Sequence, residues 1–263
     1  MTTKRPMRGR PREQEDLRQL LHSVDAVLFD FDGPLCDLFG KAPTAPIAEK
    51  IKTMARHEWG TLDREVEDCH DSHGILQQLR NMLDGEAALH RSRAVLDRAH
   101  TIVTRYEYAA VNSAVQAPDV ETLLDVLLDL RKRLVVVSNN AEEPIWQYLK
   151  RADLQSKFEA VCGRDAREPR RMKPDPDVVL RGLETLDGLA PSRALLVGDQ
   201  LTDLQAARSA RVRFLGFTQN NKRRRQMNRN GADEVVASHA PVVAAARTLL
   251  DDYSARRLHI ESK

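Results

Sequence analysis

Residues 24–37 read Val24-Asp-Ala-Val-Leu-Phe-Asp30-Phe-Asp32-Gly-Pro-Leu-Cys-Asp37. The run Val24–Phe31 is short, β-branched and aromatic, and it ends in Gly33-Pro34. That composition predicts a buried strand followed by a turn. Similar apolar runs recur at Leu134–Val137, Ala194–Val197 and Phe214–Phe217, and Glu234–Val236 reads as a short fifth strand. None alternates between apolar and polar residues, so both faces of each strand are expected to be covered, as in a parallel sheet.

Helical patterns separate these runs. Val120, Leu123, Leu124, Leu127 and Leu128 form one helical stripe. Asp119 is a candidate N-cap for it, and Asn140 with Glu143 has capping-box spacing. Repeated strand–helix units predict an α/β fold with a doubly wound parallel sheet. Residues 36–117 break the alternation. No strand is expected there, but helices near Ile47–Trp59, Val66–Leu83 and Glu86–Val115 are. This block reads as an all-helical cap inserted after the first strand, hinged at Gly40–Pro46 and Gln116–Pro118. The expected organisation is a basic tail over 1–18, a core of 19–35 and 118–263, and a cap of 36–117.

The whole-chain composition excludes several classes. The 263 residues carry 41 Lys+Arg against 39 Asp+Glu, a net charge of +2, which argues against a general nucleic-acid coat. Cys36, Cys69 and Cys162 are an odd, widely spaced set, so neither a disulfide framework nor a Cys-rich zinc site is expected, and a reducing, cytoplasmic setting fits. No apolar run approaches the ~18 residues of a membrane helix. The basic start, with Lys4, Arg5, Arg8, Arg10 and Arg12, has no apolar segment behind it and reads as a frayed tail, not a secretory signal.

The chemistry concentrates at the strand ends. The first strand runs into Asp30 and Asp32, the second into Ser138-Asn139-Asn140, and the third into Asp199 and then Asp203. Open parallel sheets bind ligands at the carboxyl ends of their strands. Asp30 and Asp32 lean to the same side of an extended segment, and Asp199 and Asp203 lie one helical turn apart. Four carboxylates in one crevice repel unless a cation joins them, and Mg2+ favours a few carboxylates with room left for a phosphoryl group. Ser138 and the amides of the helix start behind it suit phosphoryl oxygens. Lys173, in Met172-Lys173-Pro174-Asp175-Pro176, sits on a stiff loop that can bring its ammonium to the same place.

These four segments, in this order, resemble the haloacid dehalogenase-like hydrolase superfamily: Asp30-Phe-Asp32-Gly33, Val135–Asn140, Met172–Pro176 and Val197-Gly-Asp199-Gln-Leu-Thr-Asp203. The likeness spans about residues 24–250 and is strongest to the phosphoglycolate phosphatase and β-phosphoglucomutase-like branch, with its helical cap on a Rossmann-like core. Pro34 and Gln200 depart from the commoner residues of the pattern. The resemblance implies that Asp30 is a nucleophile forming an aspartyl-phosphate and Asp32 the general acid and base. It implies that Asp30, Asp32 (through its backbone carbonyl), Asp199 and Asp203 serve a magnesium ion. Ser138, Asn139 and Lys173 would hold the phosphoryl group. The expected activity is a magnesium-dependent phosphatase acting on a small phosphorylated metabolite. A sugar phosphomutase uses the same aspartates and stays open, as does a regulatory or nucleic-acid-binding protein that retains the fold.

Arg56, His57, His70, His73, Arg80 and Arg105 are the cap's candidates for contacting substrate. Lys222-Arg-Arg-Arg225, with Arg229 beyond, is the densest basic patch. Without interleaved aromatics it reads as a solvated helix face more than a nucleic-acid site. A monomer or a homodimer is equally compatible with the sequence.

Overall fold

The computed structural model describes residues 11–40, 44–85 and 91–261. Strands β1 (Ala26–Phe29), β4 (Arg133–Val137), β5 (Ala160–Cys162), β6 (Ala194–Gly198), β7 (Arg213–Phe217) and β8 (Glu234–Val236) form one sheet in the order β5-β4-β1-β6-β7-β8. Every pairing in it is parallel. Two short strands, β2 (Cys36–Asp37) and β3 (Val115–Gln116), pair antiparallel outside it. The helices are α1 (Pro11–Ser23), α2 (Ala45–Trp59), α3 (Arg64–Glu67), α4 (Gly74–Asp84) and α5 (Ala94–Ser113). Six more follow: α6 (Val120–Asp129), α7 (Glu142–Arg151), α8 (Asp177–Glu184), α9 (Leu201–Ser209), α10 (Asn221–Arg229) and α11 (Ala240–Glu261).

The sheet is covered on both faces, as its unbroken apolar strands require. On one face Val27 and Phe29 of β1 pack with residues of α1, α6, α7 and α11. On the other, Ala26 and Leu28 pack with residues of α8, α9 and α10. This is the doubly wound α/β architecture. The helices α2 to α5 bury a third cluster of their own, built on Ile51, Leu76, Leu79 and Val103, and Met172 of the core packs into it. Among the described residues no helix is long and apolar enough to cross a membrane.

The register explains why the polar strand ends converge. Phe29 lies opposite Val136 on one side and Val197 on the other. One residue further on, Asp30 emerges beside the ends of β4 and β6, where Ser138 and Asp199 follow. Three strands in register therefore deliver these side chains to one edge of the sheet.

Several local expectations shift. The first strand is shorter than Val24–Phe31. β5 was not expected, because three residues give too brief an apolar signal between polar neighbours. β2 and β3 occupy stretches expected to lack strand; two residues carry no periodicity, and their pairing joins positions 36 and 116, far apart in the chain. The helix expected over 66–83 is broken between α3 and α4. The one expected over 86–115 begins at Ala94 within the described residues, and 86–90 fall outside them. Of the expected tail, residues 1–10 also lie outside. Residues 11–18 instead begin α1, whose Leu17 is wholly buried against α11. Gly40–Pro46 is described only in part, and Pro46 lies in the first turn of α2.

Both cap assignments also change. Asp119 is at the N-cap of α6, but in the left-handed region (φ 62°) and with no side-chain cap bond. Helix α7 starts one residue later than Asn140–Glu143 spacing implies, with Ala141 as N-cap. The Asn140 side chain is drawn instead to Ser138 and Glu107. A true capping box forms at α9, between Gln200 and Asp203.

Gly163, after β5, is where the backbones of β5 and the β4–α7 loop meet most closely. A Cβ there would lie 2.5 Å from the Glu142 amide nitrogen and 2.8 Å from the Asn140 carbonyl oxygen. Both are backbone atoms in ordered turns, so neither can yield cheaply. Gly163→Ala is expected to lower unfolding free energy in urea by about 1–3 kcal/mol. A change below about 0.5 kcal/mol, the scatter of ordinary surface substitutions, would show that the loop yields freely.

Candidate active site

A cleft of about 670 Å³ opens at the carboxyl edge of the sheet. Asp30, Asp32, Ser138, Asn139, Lys173, Asp199 and Asp203 all line it, so the residues of the four motifs reach one place.

At its floor is a buried ammonium. Lys173 Nζ lies 2.8 Å from Asp30 Oδ1 and 2.7 Å from Asp203 Oδ1, and donates to the Val137 carbonyl at 3.3 Å. Burial alone would pull the Lys173 pKa down, but the two carboxylates outweigh it and hold the ammonium charged. The loop that carries Lys173 is pinned by Asn139. Its carboxamide oxygen accepts from the Lys173 amide at 2.8 Å, and its nitrogen donates to the Lys173 carbonyl at 3.2 Å. The Asn139 side chain thus fastens the loop after β4 to the lysine loop, while the residue itself still lines the cleft.

Asp30 has one oxygen engaged and one free. Oδ1 accepts from the Phe31 amide at 2.8 Å as well as from Lys173. Oδ2 accepts no hydrogen bond from the described residues. Burial pushes the Asp30 carboxyl up to about 7, with Lys173 opposing and Asp203 adding to the rise. Asp32 is bound through Oδ1 to the Leu38 amide at 2.9 Å, just beyond β2. Burial raises its carboxyl as well. The small β2–β3 pairing thus sets the backbone that holds Asp32.

Asp199 divides its oxygens in the same manner. Oδ2 accepts from Gln200 Nε2 at 2.6 Å and from Arg223 Nη1 at 3.0 Å. Oδ1 turns toward Gly33, where a Cβ would come within 3.1 Å of it and 2.8 Å of Cγ. Gly33 also has φ 103°, so no other residue suits that position. Burial, then the charges of Asp203 and Asp30, lift the Asp199 carboxyl to about 8. Asp203 is engaged on both sides, by Lys173 at Oδ1 and by the Gln200 amide at Oδ2, 2.8 Å away.

Asp30, Asp199 and Asp203 each offer an oxygen within 4.8 Å of the other two. The donors are all carboxylate, and two of the three acids are driven toward protonation by burial and, after it, by the charge of their neighbours. That set fits a hard divalent cation such as magnesium. The free Asp30 and Asp199 oxygens are the better ligands, because both Asp203 oxygens already have partners. The Asp32 carboxylate stands outside the cluster; its expected metal role runs through its backbone carbonyl.

Ser138 is buried at the end of β4. Its hydroxyl donates to Asn140 Oδ1 at 3.0 Å and accepts from the Asn140 amide at 3.2 Å.

Of the six cap candidates, only His73 lines the cleft. His57 and His70 are exposed, Arg56 is paired with Glu67, Arg80 with Asp84, and Arg105 lines a separate cavity. Two contributors escaped the sequence reading. Glu107 of α5 is one acid in a charged helix, with no pattern to distinguish it. Arg223 lay inside the basic run read as a solvated face, yet it grips both the side chain and the backbone carbonyl of Asp199.

Comparison with known proteins agrees with this geometry. The family model for haloacid dehalogenase-like hydrolases matches residues 27–217. A phosphoglycolate phosphatase of Nitrosospira multiformis is 32% identical over 190 residues, 71% of this chain and 80% of the relative. One from Thiobacillus denitrificans is 28% identical over 221 residues, 82% of this chain and 93% of the relative. Among solved structures, β-phosphoglucomutase from Clostridium difficile superposes with a TM-score of 0.59 at 18% identity, covering 88% of this chain and 99% of its own; at that identity the likeness speaks for the fold.

The raised carboxyls have a consequence for stability. A group whose folded pKa exceeds its unfolded value of about 4 stabilises the fold while protonated and loses that contribution as pH rises toward the folded pKa. For Asp30 and Asp199 those folded values are about 7 and about 8. In EDTA the melting temperature is therefore expected to fall as pH rises from about 4 to about 8 and to level off above that, and to fall less steeply in Asp199→Asn. Parallel profiles for the two proteins would show that Asp199 is ionised throughout. Fold, cleft and relatives together place the chain: it belongs to the haloacid dehalogenase-like hydrolase family, in the phosphoglycolate phosphatase and β-phosphoglucomutase-like branch, and is a phosphatase-type enzyme.

Proposed function

We propose that this enzyme hydrolyses the phosphate monoester of a small metabolite through an aspartyl-phosphate on Asp30, with magnesium as cofactor. The observation that carries the reading is the Asp30 carboxylate with Oδ1 fixed by Lys173 and the Phe31 amide, Oδ2 unengaged, and Asp32 in the same cleft.

In this scheme one oxygen of the Asp30 carboxylate attacks phosphorus as the bond to the leaving oxygen breaks. Asp32, whose carboxyl burial favours in its protonated form, gives its proton to that oxygen. The Asp32 carboxylate then takes a proton from water, the water oxygen attacks the phosphorus of the aspartyl-phosphate, and Asp30 is released with inorganic phosphate. Lys173 holds positive charge beside the nucleophile and the incoming phosphoryl oxygens. The Ser138 hydroxyl, turned from Asn140, donates to one of those oxygens. Asp30 and Asp199, supported by Asp203, would hold magnesium, which when bound supplies charge neutralisation to the phosphoryl group. The helices over 36–117 would act as a cap that shields the cleft from water and admits only small substrates.

With p-nitrophenyl phosphate and magnesium, the protein is expected to release inorganic phosphate. Chelation by EDTA should abolish turnover, and Asp30→Asn should lower kcat by at least about a thousandfold. Phosphate release that persists in EDTA, or an Asp30→Asn variant near wild-type rate, would overturn the mechanism.

A further inference from the structure

One buried carboxylate outside the catalytic set is bound to both sides of the cleft. Glu107 of α5 is wholly buried and receives four donors. Arg164 Nη1 reaches Oε1 at 2.5 Å, Asn140 Nδ2 reaches it at 3.2 Å and His73 Nε2 at 3.1 Å, while the Ala141 amide reaches Oε2 at 3.1 Å. Arg164, Asn140 and Ala141 belong to the core, in the loops after β5 and β4. His73 belongs to the loop before α4 and lines the cleft opposite Asp30. A glutamate with this many donors stays ionised, so it accepts from Nε2–H and fixes the orientation of the imidazole. The second ring nitrogen, Nδ1, has no partner among the described residues, and the ring is only partly buried.

The rest of the cap-side wall points to what that nitrogen meets. Its described polar side chains are those of Thr44, Asp71, Ser72, His73 and Gln77, with Asp37 at the root of the cap, beside Phe39, Gly40 and Gly74. Among these described residues hydroxyl, amide and acid groups are present, and arginine or lysine is not. The lysine on the floor is already shared between Asp30 and Asp203. A substrate with a second anionic group would bring that charge toward Asp37 and Asp71 with no lysine or arginine among the described residues of this wall to receive it. A hydroxylated, uncharged leaving group finds hydrogen-bond partners in its polar side chains.

We propose that His73 is a specificity-determining residue that hydrogen-bonds a hydroxyl of an uncharged leaving group, and that Glu107 is the positioning residue that holds it there. This rests on the phosphatase reading above and narrows its substrate class to phosphates of polyols or sugars. The relatives named for phosphoglycolate act on a leaving group that carries a carboxylate; this wall is built for a different one.

The test is steady-state kinetics of the magnesium-loaded protein on glycerol phosphate, phosphoglycolate and p-nitrophenyl phosphate. Wild type is expected to favour glycerol phosphate over phosphoglycolate by about tenfold or more in kcat/KM, the worth of one hydrogen bond or one unpaired charge. His73→Ala should reduce the ratio of glycerol phosphate to p-nitrophenyl phosphate activity about tenfold, chiefly through KM. His73→Gln, which can still hydrogen-bond, should recover part of it. Glu107→Gln, which never touches substrate, should shift the same ratio in the same direction; its melting temperature is measured alongside, and if it does not fold the His73 pair decides. A wild-type preference for phosphoglycolate, or a ratio unmoved by His73→Ala, overturns the inference and leaves the phosphatase reading intact. Hydrolysis of none of the three substrates by wild type overturns both.

Discussion

An ammonium without water must be surrounded by charge or it does not stay an ammonium. Lys173 satisfies that requirement with two carboxylates and a carbonyl, drawn from the ends of β1 and β4 and the first turn of α9. Burying an ion costs several kcal/mol even after relaxation, so the arrangement persists only if all partners arrive together. This places demands on everything around it. β1 must lie between β4 and β6 in register, α9 must begin with Asp203 turned inward, and the lysine loop must be fastened, as Asn139 fastens it at both backbone groups. The sheet order and the catalytic geometry are two views of one constraint.

What the sequence displayed followed from the same geometry. Strand ends in a parallel sheet share an edge, so Asp30, Ser138 and Asp199 could be brought together from spacing alone, and the apolar runs gave the doubly wound core. The misses have a common physical cause: they depend on contacts between distant residues that leave no periodic trace. β5 is three residues long. The β2–β3 pairing joins the two roots of the inserted helices and, through Leu38, steadies Asp32. Asn140 has the right spacing for a helix cap and is diverted because Glu107 and Ser138 are better partners. Gln200, a departure from the commoner residue of its motif, builds the cap of α9 and at the same time holds Asp199.

The basic run shows how a local reading can be right for some residues and wrong for their neighbours. Asn220 caps α10 by accepting from the amides of Lys222 and Arg223, which fixes the rotation of the helix. Lys222 is left facing solvent, while Arg223 is turned toward Asp199. Four consecutive basic residues on a helix cannot share one face, since each step turns by about 100°. Some of them were bound to point inward, and the start of the helix selected Arg223, which meets Asp199, and Arg224, which donates to the Val235 carbonyl.

Glu107 and Asp30 are both buried carboxylates bound to a cation, yet they are displaced in opposite directions, to about 2 and about 7. Burial raises both, so burial is not what separates them. Glu107 has Arg164 at 2.5 Å, two further side chains and a backbone amide, and no other acid among its contacts. Asp30 must share a single lysine with Asp203, whose charge adds to the rise. The first arrangement is saturated: nothing more can bind and nothing is gained by change, which suits an anchor between the inserted helices and the core. The second is short of positive charge, and that deficit is one the proposed divalent cation would relieve. Structural and reactive acids in this protein differ less in how deeply they lie than in whether their neighbours leave a charge unmet.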